Sequence, residues 1–502
     1  MIICKKAKSL KSSLLKHCLK QIGLSSDNCY KLSLITTLNK SIDRKDTMQT
    51  NKLQTAPIPK LLATMAMPAI IANLVNSLYN IVDQIFIGHG VGYLGNAATS
   101  VAFPLTIICL AFGLTLGLGG ASNFNLSLGR GQKERAAHVI GNAIFLSLAL
   151  GVLIGAVIIL LLKPLLILFG ATEATLAYAI DYTGITAFGI PFLMFTMSLN
   201  PLVRADGSPT YSMMAIVVGA ILNTILDPIF IFGFQWGIKG AAFATLISQI
   251  LSALFLGLYF RRFKSIHLKS SDFRLDRDVI KSIVSVGSSS FIFQSSTMLI
   301  QIVTNNMLRK YGAESIYGSD IAIAVAGIVM KINSLFIAVI IGLVQGAQPI
   351  VGFNYGARQL ERVKETTALM LKTAIVISLV AFLAFELFPK PFLTLFGHGS
   401  ALYFQFGIKY VRVFLFFVIL NGVQIASTTF FQAIGKASIG AFLSLTKQVI
   451  FLLPLLFILP HFFGVEGVMF AGPISDAIAF ITALTFLRRE FKRMPHDLRV
   501  TH

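Results

Sequence analysis

Asp227 is the residue of this 502-residue chain that most needs a chemical explanation. It is the only charge between Tyr211 and Phe234, an apolar stretch long enough to cross a hydrocarbon core. A carboxylate at mid-membrane costs about 2.5–3.5 kcal/mol on insertion scales, so such residues face a bundle interior, find partners and do work there. Asn223 lies one helical turn earlier, on the same face. A second carboxylate, Asp83, ends a stripe begun by Asn73, Asn76 and Asn80, whose steps of three, four and three share one helical face. Thr245 adds a hydroxyl in a later apolar stretch. Two carboxylates with an amide and a hydroxyl can hold a proton or a small hard cation such as Na+ through oxygen ligands. The competing reading is a polar seam that only joins helices.

Other chemistry is absent from the pattern. No glycine-rich phosphate loop, nucleophile elbow or histidine metal motif occurs, which argues against ATP hydrolysis, against an enzyme and for no organic cofactor. Of the four cysteines, Cys4, Cys18 and Cys29 lie in the polar head and only Cys109 in an apolar span, so no disulfide framework or metal spacing exists.

The elements that must carry these residues are membrane helices. The chain is 55% hydrophobic and 13% charged, with a mean hydropathy of +0.78, far from the roughly 25% charge of soluble domains. Twelve apolar spans are expected, at approximately 61–87, 100–128, 138–162, 177–200, 210–234, 240–260, 282–308, 320–351, 366–388, 404–430, 438–459 and 467–487. The formal charge of +21 does not point to nucleic acid, because the basic residues fall mainly between spans. After the even spans come Arg130, Lys133, Arg135, Arg204, seven basic residues from Arg261 to Lys281, Arg358, Arg362, Lys364, Lys436 and a basic tail. The opposite side offers mainly Lys163, Lys239, Arg309, Lys310 and Lys390. The positive-inside rule therefore places both termini in the cytoplasm of a multi-pass cell-membrane protein.

The two halves repeat. LSLGRGQKERA matches GFNYGARQLERV with Gly129 over Gly356, and the FG of ILFGATEA matches that of TLFGHGSA with Gly170 over Gly397, both pairs at the same offset. With six spans in each half, the halves are parallel repeats about an axis along the membrane normal. This divides the chain into a basic N-terminal extension at 1–57, a first lobe at 58–260, a cytoplasmic linker at 261–281, a second lobe at 282–490 and a tail at 491–502. The extension lacks an apolar core for a signal peptide, and we expect it to be disordered and dispensable. The polar positions belong to one lobe: on the repeat Asp227 falls over Leu453, Asn223 over Val449 and Thr245 over Gly472. The second-lobe charges Asp476, Lys331, Lys372 and Lys447 read equally as structural pairs or as cavity lining. Pro68, fifteen residues before Asp83, removes a helical hydrogen bond and permits its helix to bend.

At RADGSPTYS, at ILNTILDPIFIFGFQWGIKGAAFAT and at LVNSLYNIVDQIFIGHG the chain resembles the multidrug and toxic compound extrusion (MATE) family, in its DinF-like branch, which includes MepA-like proteins. The likeness covers roughly residues 58–490. It implies an all-α fold of twelve membrane helices in two six-helix lobes, acting as a monomer in the bacterial plasma membrane. It also implies antiport of amphipathic, often cationic drugs against H+ or Na+, with Asp83, Asn223, Asp227 and Thr245 as the cation site. Asn73, Asn76 and Asn80 then line the cavity, and Pro68 bends the first helix. The alternative within the same superfamily is a flippase for lipid-linked oligosaccharides. Its cavity would need several cationic side chains for a pyrophosphate, and the expected spans of the first lobe offer none of these.

Overall fold

The computed structural model describes residues 53–395 and 401–494. The expectation for the extension lies almost wholly outside them. Met1–Thr55 and Ala56–His502 separate as two units, and the membrane helices all belong to the second.

The described residues form helices and no strands. Eleven helices are long and apolar enough to cross a membrane: α1 (Ile58–Gly90), α2 (Leu94–Gly129), α3 (Lys133–Leu160), α4 (Glu173–Ala205), α5 (Pro209–Gly233), α6 (Gly237–Arg262), α7 (Arg277–Ala313), α8 (Ile321–Gly356), α9 (Leu360–Leu387), α11 (Ser438–Phe463) and α12 (Val465–Arg493). The bent pair Ala401–Phe414 and Val418–Ala433, kinked by 46°, forms α10 and completes the expected twelve. Helix is the form such sequence must take, since a backbone in hydrocarbon has to satisfy its own hydrogen bonds.

The repeat spacing reappears in three dimensions. α3 and α9 have 28 residues each, and their first residues, Lys133 and Leu360, stand at the same offset as Gly129 and Gly356. The short helices Leu162–Leu168 and Pro389–Leu395, which follow them, keep that offset. The fourth span of each half is broken at the matching place, by a 3-10 turn at Ala187–Gly189 in α4 and by the kink after Phe414 in α10. Pro191 opens the second part of α4, where its missing N–H costs nothing. Pro68, in contrast, lies inside the continuous helix α1.

The halves meet at the basic end, the end carrying Arg130, Arg358 and Arg493. There α1 crosses α8 and α2 crosses both α7 and α8 in close backbone contact. A Cβ on Gly346 would stand 2.4 Å from the Ala66 Cα, and one on Gly129 would stand 2.9 Å from the Gly356 Cα, so the repeat-related glycines touch each other. Hydrogen bonds sew the same region: Gln348 Nε2 donates to Ser122 Oγ at 2.8 Å, and Ser282 Oγ to Asn123 Oδ1 at 2.6 Å. Phe112 and Phe291 pack edge to face, 5.1 Å between ring centres.

The linker is docked onto the first half. Asn142 of α3 donates to the Arg274 carbonyl at 3.0 Å and accepts from the Asp276 amide at 2.9 Å. Asp206, buried between α4 and α5, accepts from the Lys264 and Ser265 amides at 2.7 and 2.9 Å and from the Tyr259 hydroxyl at 2.7 Å. Asp206→Ala would leave the two amides unpaired and the Tyr259 hydroxyl with only Ser208 Oγ, at 2.7 Å, and we expect it to remove about 3 kcal/mol of stability. An apparent melting temperature equal to that of wild type in detergent would contradict this.

Candidate functional site

The site forms where α1, α4, α5 and α6 enclose the interior of the first half. Asp227 is fully buried near the end of the α-helical part of α5. Pro228 follows it and cannot donate to the preceding turn, and the helix loosens into a π turn over Ile229–Gly233, a device that recurs at functional sites.

Asn223 donates from Nδ2 to Asp227 Oδ1 at 3.3 Å and to Thr245 Oγ1 of α6 at 3.4 Å. Asp83 is buried on α1, with its carboxyl beside that of Asp227. Two ionised carboxylates are acceptors only, so this contact needs a proton or a cation between them. Asp83 Oδ1, Asp227 Oδ2 and Asn223 Oδ1 are buried without a protein partner. These are hard oxygen ligands, suited to a proton or to Na+.

An adjoining cavity of about 80 Å³ is lined by Asn76, Tyr79, Asn223, Thr245, Ser248 and Gln249, among others. It has room for a cation with several waters. Sites that enclose drug-sized ligands are larger, roughly 300 Å³ or more. Unpartnered oxygens of Thr196, Ser248 and Gln249 line it too. Buried polar groups of this kind suit a wet cavity.

The structure thus brings together Asp83, Asn223, Asp227, Thr245 and Asn76. It does not bring Asn73 or Asn80 to this cavity. Asn73 donates at 3.1 Å to Gln345 of α8, in the contact between the halves, and Asn80 is exposed and donates to the Asn76 carbonyl of its own helix. One face of α1 therefore serves two purposes along its length.

Two tyrosines join the site beyond those read from sequence. Tyr79 lines the cavity, and its spacing of four from Asp83 was a usable signal. Tyr182 of α4 lies beside Thr245, and no spacing within its own span marked it. Arg204, read from sequence as a loop residue, lies instead in the last turn of α4. It is buried and donates to Gln345 at 2.6 Å and to Asn200 at 3.3 Å. The first half does hold one buried cation, tied to neutral partners at the contact between the halves.

The second half is built differently in the corresponding place. Asp476, which falls over Gln249 on the repeat, is bound by Lys447 at 2.8 Å, and Lys447 also donates to Asn421 at 2.7 Å. Only 13% of the lysine and 11% of the aspartate side chain are exposed. The pair neutralises itself, whereas Lys331 and Lys372 are exposed.

The MatE family model matches residues 68–229 and 290–458. The multidrug export protein MepA of Staphylococcus saprophyticus is 26% identical over 424 residues, 84% of this chain and 91% of that protein. Among solved structures, the MATE multidrug transporter DinF-BH is 38% identical, with a TM-score of 0.80 over 87% of this chain and 96% of the other. An outward-facing multidrug resistance MATE family transporter of the MOP superfamily gives a TM-score of 0.82 at 26% identity, over 88% and 98% of the two chains.

Proposed function

The chain belongs to the MATE family of multidrug and toxic compound extrusion transporters, and we propose that it is a secondary active exporter of amphipathic, cationic drugs driven by H+ or Na+. The contact between Asp83 and Asp227 carries this reading. A carboxylate pair that needs a neutralising cation, buried in one half and without a counterpart in the other, where Leu453 stands over Asp227 and the buried Asp476 is already neutralised by Lys447, is a means of coupling rather than of packing. Drug export is read from the relatives, MepA above all.

Alternating access supplies the rest. The halves are joined at the basic end, which charge asymmetry assigns to the cytoplasm, so this state faces outward. A proton or Na+ entering from outside neutralises Asp83 and Asp227. Its release inside restores their charge and favours the return of drug-loaded protein, so ion and drug compete through conformation. Asn223 and Thr245 hold the carboxylates in register. Pro68 lies between Ala66 and Ile70, which pack against Gly346 and Gly342, and is placed to let α1 bend as the contact opens. No organic cofactor and no covalent chemistry enter the cycle.

The test is efflux from vesicles of the purified protein under an imposed proton or sodium gradient. Drug movement against its own gradient with one of these ions, collapsing when that ion is equalised, is expected. Equal efflux with neither gradient would refute coupling.

A further inference from the structure

Beyond the transport site, the basic end holds a second cavity of about 630 Å³, where the two halves meet. Arg130 reaches it from the end of α2, Arg358 from the end of α8, Lys436 from the turn before α11 and Arg493 from the end of α12. The one carboxylate in the lining, Glu490, is taken by Lys436, whose Nζ binds both its oxygens at 2.6 Å. Arg130, Arg358 and Arg493 thus line one concavity with no acidic partner among the described residues.

The backbone singles out one of them. α2 and α8 end in the same turn, with Gln132 N bound to Ser127 O and Gln359 N bound to Asn354 O, both at 2.9 Å. Such a turn needs one residue in the left-handed region. In the first half that residue is Gly131, at φ +75°; in the second it is Arg358, at φ +60°. A side chain is strained there, and strain of this kind collects at binding sites. Helix C-termini favour nearby cations, which accounts for a basic residue beside each end. It does not account for an arginine at the one position where glycine fits.

We propose that this cavity binds a phosphate group between the halves, with Arg130 of the first and Arg358 and Arg493 of the second as its ligands. The guanidinium fork suits phosphate oxygens. A position at the basic end fits the headgroup of an anionic lipid, and a soluble phosphate has the same chemistry. Either would bridge the halves in the state joined at this end.

The experiment uses the full chain in nanodiscs of phosphatidylcholine, alone or mixed with phosphatidylglycerol, and follows thermal unfolding while inorganic phosphate is titrated. A saturable rise with phosphate in pure phosphatidylcholine identifies a soluble ligand. A rise on adding phosphatidylglycerol that phosphate does not augment identifies a headgroup. Arg130→Gln, Arg493→Gln and Arg358→Gly should each weaken the effect about tenfold, while Arg489→Gln, a charge loss at the same end outside the cavity lining, should not. Arg358→Gly should also be at least as stable as wild type without the ligand, because it relieves the strained turn. The proposal fails if neither source stabilises saturably, if Arg489→Gln weakens binding equally, or if Arg358→Gly binds like wild type.

Discussion

Asp83→Asn and Asp227→Asn each yield a folded, membrane-inserted protein that still binds drug but has lost gradient-driven export, at least tenfold down on wild type. An asparagine keeps the size of the aspartate and imitates its neutralised form, so neither variant should disturb the packing of α1 on α5. What each removes is the change of charge. With one carboxylate left, the remaining group no longer needs a cation for its contact, since an amide can donate to it directly. The ion then has little differential affinity for the two states, and a ligand without differential affinity shifts no equilibrium. Asn223→Ala removes two long hydrogen bonds, of 3.3 and 3.4 Å, and Thr245→Ala only the second of them, so each should cost export only a few-fold. Vesicle efflux under an imposed gradient, with drug binding measured on the same preparations, separates coupling from affinity. Full gradient-dependent efflux by the Asp83→Asn, Asp227→Asn double variant would exclude the mechanism.

Gly346→Val should insert normally and yet transport about tenfold less or worse, because the halves can no longer close at the basic end. The added Cβ would stand 2.4 Å from the Ala66 Cα and 2.5 Å from its N, atoms of a helix backbone with no side chain to swing aside. α1 and α8 must part. Overpacking of this kind costs about 1–3 kcal/mol, which moves a two-state equilibrium by about 5- to 150-fold. Spin labels on either side of the basic end should report a longer mean distance, and export should fall with it. Gly327→Ala is the control, since a Cβ at Gly327 of the same helix meets nothing within 4 Å. Wild-type transport by Gly346→Val would mean that this contact is not part of the cycle.

Much of the fold was legible before any coordinates. Span length, composition and the internal repeat are local or additive properties, and the helix bounds follow them closely. α1 runs from Ile58 to Gly90 where 61–87 was expected, and α9 from Leu360 to Leu387 where 366–388 was expected. The kink in α10 was not foreseen, because Phe414 to Phe417 carries neither proline nor glycine. Its cause lies in the repeat, which breaks α4 at the matching place.

The chemical inventory was also written in the chain: a carboxylate in each of two apolar spans cannot face lipid, so both must turn inward whatever the packing. Which groups then meet depends on the rotation of each helix about its axis and on its neighbours, which no spacing within one helix encodes. Packing alone brought Asp83 to Asp227 and Tyr182 to Thr245. Asn73 went to Gln345 rather than to the cavity because α8 crosses α1 at that height. Arg204 was hidden in the same way, since a basic residue beside a proline and a glycine reads as a loop until Gln345 closes over it. The Lys447–Asp476 pair needed the same information, because its partners lie on different helices and each alone is an unexplained charge. Periodicity places a side chain on a face, and only the folded bundle decides what that face meets.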